Sequence, residues 1–308
     1  MAQLIDFDQC PKIEGRQYPE ICSKKYAIEY NGTPYMVKYP KRQLIMGLYS
    51  QEVVSCYSEH IGCKVFSLLG FPVQDTVLGY AEENKERKML VACKDLTSPK
   101  VRLVSFLDTM ELDPNMTRDA VFAAVHNLPT VLQYIQDQHY VDGDALKKYF
   151  WQVFIADAFL VNRERSIENL GFLMNEEENT AVIAPVYDCG DCLTPDVDDV
   201  NMAAFLANGE IGAPLYQQFV YGCGTSIFTV KGERTDYYSF LMQTEDKDCL
   251  AAAAEIIPKI DMAAINRMLD EELAAWPLRR DYYKALLAER YKLIMLPVLQ
   301  RAEKYGTR

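Results

Sequence analysis

The sequence predicts an α+β protein of two lobes, a small antiparallel-sheet lobe over residues 1–97 and a larger, mainly helical lobe over 98–308. Three observations predict it. The first hundred residues alternate in strand fashion around two turn signals, with one amphipathic helix between the two hairpins. From about residue 117 the periodicity turns helical, and one later stretch is apolar nearly all round, as a helix buried inside a lobe requires. With 308 residues, 49% of them hydrophobic, the chain can bury a substantial core.

The first hairpin is Lys25 to Tyr30 and Tyr35 to Tyr39 around Asn31-Gly32, a pair whose left-handed backbone suits a two-residue turn. That turn sets Lys25 opposite Lys38, a like-charge pair that costs about 0.2–1 kcal/mol unless an anion lies between them. A solvated edge strand would also tolerate Lys38; a bound polyphosphate would make it functional. Val54, Tyr57, Ile61, Val65 and Leu68 then share one stripe of a helix that Gly70 terminates. Glu59 lies about 140° from that stripe at roughly 100° per residue, so it faces either solvent or a cleft. Thr76 to Ala81 and Met89 to Leu96 form the second hairpin across the polar turn Glu82 to Lys88. No GxGxxG opens a helix and no Walker A sequence is present.

In the larger lobe, Thr117 to Gln138 and Ala145 to Val161 read as helices, the second being the apolar one. Asn162-Arg-Glu-Arg-Ser-Ile-Glu-Asn169 follows it at once, four charged residues and two asparagines emerging from a core element. Two strands come next, Leu170 to Met174 and Ala181 to Tyr187, the second ending in Asp188-Cys189-Gly190. Asp261 to Ala275 and Arg279 to Lys304 are amphipathic and complete the helical lobe.

The order of these parts carries chemistry. Kinases place an acid in a loop after a buried helix, an asparagine five residues on, a strand pair, and then an aspartate before x-Gly. Glu164, Asn169 and Asp188 occupy those places, and the strand lysine Lys38 precedes the helix glutamate Glu59 in the order that the kinase ion pair needs. The residue types suit ATP with Mg²⁺. A carboxylate and an amide oxygen are hard ligands for the cation, a second carboxylate receives the attacking hydroxyl's proton, and a lysine spreads phosphate charge.

Composition narrows the partners. A net charge of −12 opposes duplex nucleic acid, whose phosphates need a basic surface. The start MAQLIDFDQC lacks the basic and apolar regions of a signal peptide, and the longest apolar run, Phe150 to Val161, is too short to span a bilayer and contains Asp157. These features predict a soluble protein of the cytoplasm with no membrane partner. The nine scattered cysteines read as reduced thiols; Cys189 and Cys192 form a CxxC with no second pair at zinc-ribbon spacing.

From about Tyr26 to Tyr238 the sequence resembles the HipA-type serine/threonine kinase family, through NGTPYMVKYP (31–40), SEHIG with LGFPVQDTVLG (58–79), VACKDL (91–96), FLVNRERSIENLGF (159–172) and APVYDCG (184–190). The resemblance implies a two-lobed protein-kinase-like fold that transfers the γ-phosphate of ATP to a Ser/Thr hydroxyl of a protein. It implies phosphate contact for Lys38, aided by Lys25 and supported by Glu59, and Mg²⁺ held by Asn169 and Asp188. VACKDL implies the hinge, with backbone near Ala92 and Lys94 at adenine and Asp95 at the ribose. The family's catalytic aspartate falls on Glu164 and its usual histidine on Ser166. Gly15, Ser23, Lys24 and Lys25 stand where the family covers the phosphates with a richer glycine-serine segment. The hairpin's early start implies a short form without the extra N-terminal module, so no antitoxin-like partner is indicated. Two alternatives stay open: a pseudokinase that binds ATP without efficient transfer, and a kinase for a small-molecule alcohol. The acidic loop after Gly190, with Thr194, Asp196, Asp198 and Asp199, reads as solvated surface or as a docking site for a basic substrate.

Overall fold

Paired left-handed residues turn both hairpins of the small lobe. Asn31 and Gly32 have φ of 51° and 72°, and Asn84 and Lys85 have φ of 54° and 68°, the pattern whose twist matches the flanking strands. The structure is a computed structural model and describes residues 4–18, 23–45, 49–53, 55–208, 216, 220–221, 228–230 and 233–306. Its first strand is β1 (Ile5–Asp6); β2 (Lys25–Tyr30) and β3 (Thr33–Lys38) form the first hairpin in the expected register, Lys25 opposite Lys38. A further antiparallel pair, β4 (Lys41–Ile45) and β5 (Tyr49–Val53), which the sequence pattern did not announce, leads to helix α1 (Ser55–Leu68). The second hairpin, β6 (Thr76–Glu83) and β7 (Glu86–Lys94), is longer than expected because its turn is only two residues wide. Together these give a five-stranded sheet in the order β1-β6-β7-β3-β2, antiparallel except that β1 runs parallel to β6.

Tyr57, Ile61 and Val65 of α1 are buried as the stripe requires, whereas Leu68 is 45% exposed; Val54 lies outside the described residues. The opposite side of α1 is buried too. Glu59 and His60 are almost inaccessible, and a side chain at Gly62 would meet the Cβ of Cys189 at 2.7 Å. The helix is therefore pressed directly on the segment that carries Asp188.

Beyond the small lobe, β8 (Val101–Ser105), also unforeseen, leads into α2 (Phe106–Thr109) through a Ser105/Asp108 capping box. The expected helix at 117–138 is two helices, α3 (Arg118–Val125) and α4 (Leu128–Asp137). Pro129 cannot donate within a helix but is tolerated in its first turn, where Asn127 caps. Helix α5 (Gly143–Leu160), capped by Asp142, runs through the core with Trp151, Ile155 and Phe159 fully buried. Strands β9 (Gly171–Asn175) and β10 (Thr180–Ile183) join β8 in a three-stranded sheet ordered β10-β9-β8. Helices α6 (Asp199–Asn208), α7 (Tyr237–Gln243), α8 (Lys247–Ile256), α9 (Met262–Glu272), α10 (Pro277–Arg290) and α11 (Leu296–Gly306) follow, with one π-helical turn at Tyr291–Met295 between the last two.

The main hydrophobic cluster does not stop at a lobe boundary. It includes Ile61, Leu78 and Val91 of the small lobe together with Leu146, Trp151 and Phe172 of the large one. Backbone bonds reinforce the junction, since the amide of Gln74 donates to Val186 O and that of Val186 to Pro72 O, both at 2.9 Å.

Candidate active site

Strand β3 lies between β2 and β7, so its last residue, Lys38, starts from a fixed backbone. The Lys38 ammonium donates to Glu59 Oε2 at 2.8 Å and to Asp188 Oδ1 at 3.2 Å. Glu59 uses its other oxygen to accept the backbone N–H of Cys189 at 2.9 Å. One carboxylate thus ties the strand lysine to the residue after Asp188. Burial pulls the lysine's pKa down, but Asp188 and Glu59 outweigh it and hold the ammonium well above its ordinary range. Burial pushes Glu59 upward, with Lys38 opposing and Asp188 adding to the rise; the ammonium and the Cys189 amide both favour its ionised form.

Asp188 has φ of 54°, a left-handed backbone that aspartate tolerates better than most residues. It follows Tyr187, whose hydroxyl donates to Glu168 O at 2.9 Å, and its carboxylate keeps about 30% exposure beside the lysine. Helix α1 is anchored from behind. His60 Nε2 meets Glu272 Oε2 at 3.1 Å and Lys64 meets the other oxygen at 3.2 Å, while His60 Nδ1 meets the Thr76 hydroxyl at 2.9 Å.

The loop after α5 is a chain of short backbone turns. Val161 ends the helix with φ of 49°, and Asn162 turns back to donate to Asp157 Oδ1 at 2.7 Å while accepting the Glu164 amide at 3.2 Å. Ser166 N–H donates to Glu164 O at 2.8 Å, and so does the side-chain amide of Asn169, also at 2.8 Å. That bond orients the Asn169 amide and leaves its oxygen as an acceptor. Glu164 itself is exposed, and its neighbour Arg163 makes a two-pronged ion pair with Asp196 at 2.7 and 3.0 Å. Asp196 is thus partnered by the loop rather than standing as plain solvated surface.

Lys38, Glu59 and Asp188 are therefore in direct contact, and Glu164 and Asn169 share one loop. The hinge residues behave differently. Ala92 is fully buried in the middle of β7, with strands on both sides occupying its backbone. Lys94 donates its amide to Asp75 O and accepts Gln74 at its carbonyl, both at 2.8 Å. Asp95 is filled by Arg16 at 2.7 Å, Tyr18 at 2.5 Å and the Thr97 hydroxyl at 2.7 Å, which keep its pKa low against the upward pull of burial. Asp95, expected at the ribose, anchors the N-terminal segment through Arg16 and Tyr18.

Sequence reasoning missed Arg165, almost fully buried among Asp157, Asn169, Tyr187 and Cys189. The available signal was an aspartate inside the apolar helix α5, eight residues before an arginine, because a buried acid demands a partner.

No protein-family model matches the chain. The chain is 34% identical over 293 residues to the serine/threonine-protein kinase CtkA of Helicobacter pylori strain J99, covering 94% of this chain and 86% of CtkA. The crystal structure of a Helicobacter pylori proinflammatory kinase CtkA superposes with a TM-score of 0.86 and 31% identity, over 98% of this chain and 99% of that one. HipA of Shewanella oneidensis, solved with HipB and operator DNA, superposes with a TM-score of 0.46 at 15% identity over 94% of this chain and 67% of that one, and adds nothing to the assignment. With a third of its residues shared along nearly the whole length, this chain belongs to the family of the serine/threonine-protein kinase CtkA.

Proposed function

We propose that the protein binds ATP with Mg²⁺ between β3 and the 162–190 segment and transfers the γ-phosphate to a serine or threonine hydroxyl of a protein. The contact of Lys38 with both Glu59 and Asp188 carries this reading, because it places a fixed ammonium beside a partly open carboxylate. Lys38 neutralises phosphate charge, and Glu59 keeps it aimed. Lys25, opposite it on β2, adds positive charge on the same side of the hairpin.

The donor set fits magnesium. Asp188 offers a carboxylate and Asn169 an amide oxygen, hard ligands for a cation that takes its remaining places from phosphate and water. When bound, the metal supplies charge neutralisation of the triphosphate. Glu164, exposed beside Asn169, orients the acceptor hydroxyl and takes its proton.

None of the described helices is long and apolar enough to cross a membrane. The proposed acceptor is a protein of the cytoplasm, and the net charge of −12 disfavours nucleic acid as a partner. A thermal-shift titration with ATP and Mg²⁺ tests nucleotide binding. Wild type should gain melting temperature, and Lys38→Ala should lose most of the gain. In a radiolabelled transfer assay Asp188→Asn should be silent; full activity in that variant would remove Asp188 from the site.

A further inference from the structure

Arg165 has a side chain only 3% exposed and distributes its donors among three pieces of chain. Nε donates to Asp157 Oδ2 at 2.9 Å and Nη2 reaches Asp157 Oδ1 at 3.4 Å, a two-pronged grip on helix α5. Nη1 donates to the backbone carbonyl of Asn169 at 3.2 Å and to that of Tyr187 at 2.5 Å. Nη2 also lies 3.5 Å from Cys189 Sγ, and the guanidinium carbon sits 5.7 Å from the Phe66 ring of α1. One planar cation therefore touches Asn169 itself and both residues that flank Asp188. Asp157 is in turn held by Asn162, so the anchor belongs to the same loop that presents Glu164.

We infer that Arg165 is a positioning residue, whose planar fork sets the spacing and orientation of Asn169 relative to Asp188. The inference rests on the proposal that those two residues hold magnesium. Its physical basis is that their separation has no direct covalent control. Nineteen positions separate them, running through β9 and β10, and a hard cation demands near-ideal ligand geometry. A single nitrogen shared by the Asn169 and Tyr187 carbonyls supplies that control. Lysine could reach Asp157 as a point charge, but it has no rigid fork to span α5 and both carbonyls at once.

A residue that merely stabilised the fold would lower the melting temperature without affecting these two segments selectively. The test compares Arg165→Lys with Trp151→Phe, a core variant on α5, the helix that carries Asp157, whose side chain lies outside the site. Amide hydrogen exchange is followed in the metal-free protein over peptides covering 162–170 and 185–192. Mn²⁺ binding in the presence of a non-hydrolysable ATP analogue is read by electron paramagnetic resonance. Arg165→Lys should speed exchange in both segments and weaken Mn²⁺ binding by roughly 10- to 100-fold, while Trp151→Phe does neither. Equal behaviour of the two variants at matched loss of melting temperature overturns the inference. Should Arg165→Lys fail to fold, Asp157→Asn, which keeps the shape but removes the anchoring charge, decides by the same two readouts with the same expected directions. A wild type that binds no Mn²⁺ with nucleotide would instead refute the proposed function, and the exchange pattern would still judge the clamp.

Discussion

Lys38 shows how one residue is made fit for a task. In water a lysine on a strand would sample many rotamers; here two carboxylates and a nearly closed environment select one. The buried charge is tolerated because it is paired with both carboxylates. Asp188 contributes backbone strain in addition, because φ of 54° turns its carboxylate toward the lysine. Glu164 differs by staying exposed, on a loop held by the side chains of Asn162, Arg165 and Asn169 as well as by backbone bonds. Replacing it with glutamine removes the proton acceptor and leaves the lysine and metal groups intact. Turnover should fall by about 10²- to 10⁴-fold with ATP affinity unchanged, measured by steady-state transfer and by calorimetric nucleotide titration. A parallel loss of ATP affinity would show that Glu164 binds nucleotide instead.

At the scale of elements, α1 is the component that links the site to the rest of the protein. Its front carries Glu59 to Lys38 and Cys189; its rear carries His60 and Lys64 to Glu272 of α9. The His60 hydrogen bond, then attraction to His60 and Lys64, lowers the Glu272 pKa from 4.5 to about 2 despite partial burial. A carboxylate with a depressed folded-state pKa stabilises above its unfolded value and loses that contribution as pH falls through the folded one. Wild type should therefore lose stability more steeply than Glu272→Gln between pH 4.5 and about 2, as read from urea midpoints. The variant should also need more ATP for half-saturation at neutral pH, since Glu59 rides on the same helix. Parallel curves and unchanged ATP affinity would mean that the rear contact is incidental. Much of this element was readable beforehand. Asn31-Gly32 specified the β2–β3 register and hence the place of Lys38, and the stripe of α1 put Glu59 on another face. Its burial was not readable, because that depends on the Asp188 segment arriving from 130 residues away.

For the whole molecule, the two lobes share a core. Ile61 and Val91 belong to the same buried cluster as Trp151 and Phe172, and backbone bonds join 72–74 to Val186. Scanning calorimetry should show one cooperative transition; two separated transitions would contradict a shared core. The order of lysine, glutamate and aspartate along the chain made the fold legible and anticipated the contact of Lys38 with Glu59 and Asp188, because spacing along the chain survives where contacts cannot be seen. What stayed hidden was made by tertiary closure. Strand β8 finds its partner only in β9, beyond helices α2 to α5, Asp95 is filled by residues from the far N-terminal segment, and Arg165 gains its meaning only when β9 and β10 return the chain beside Asn169. The most direct measurement is a crystal structure with Mn²⁺ and a non-hydrolysable ATP analogue, located by anomalous scattering. The account predicts a metal peak at about 2.1–2.4 Å from oxygens of both Asp188 and Asn169, with Lys38 against the phosphates. A metal or triphosphate seated away from Asp188, or Lys38 turned from the phosphates, would contradict it.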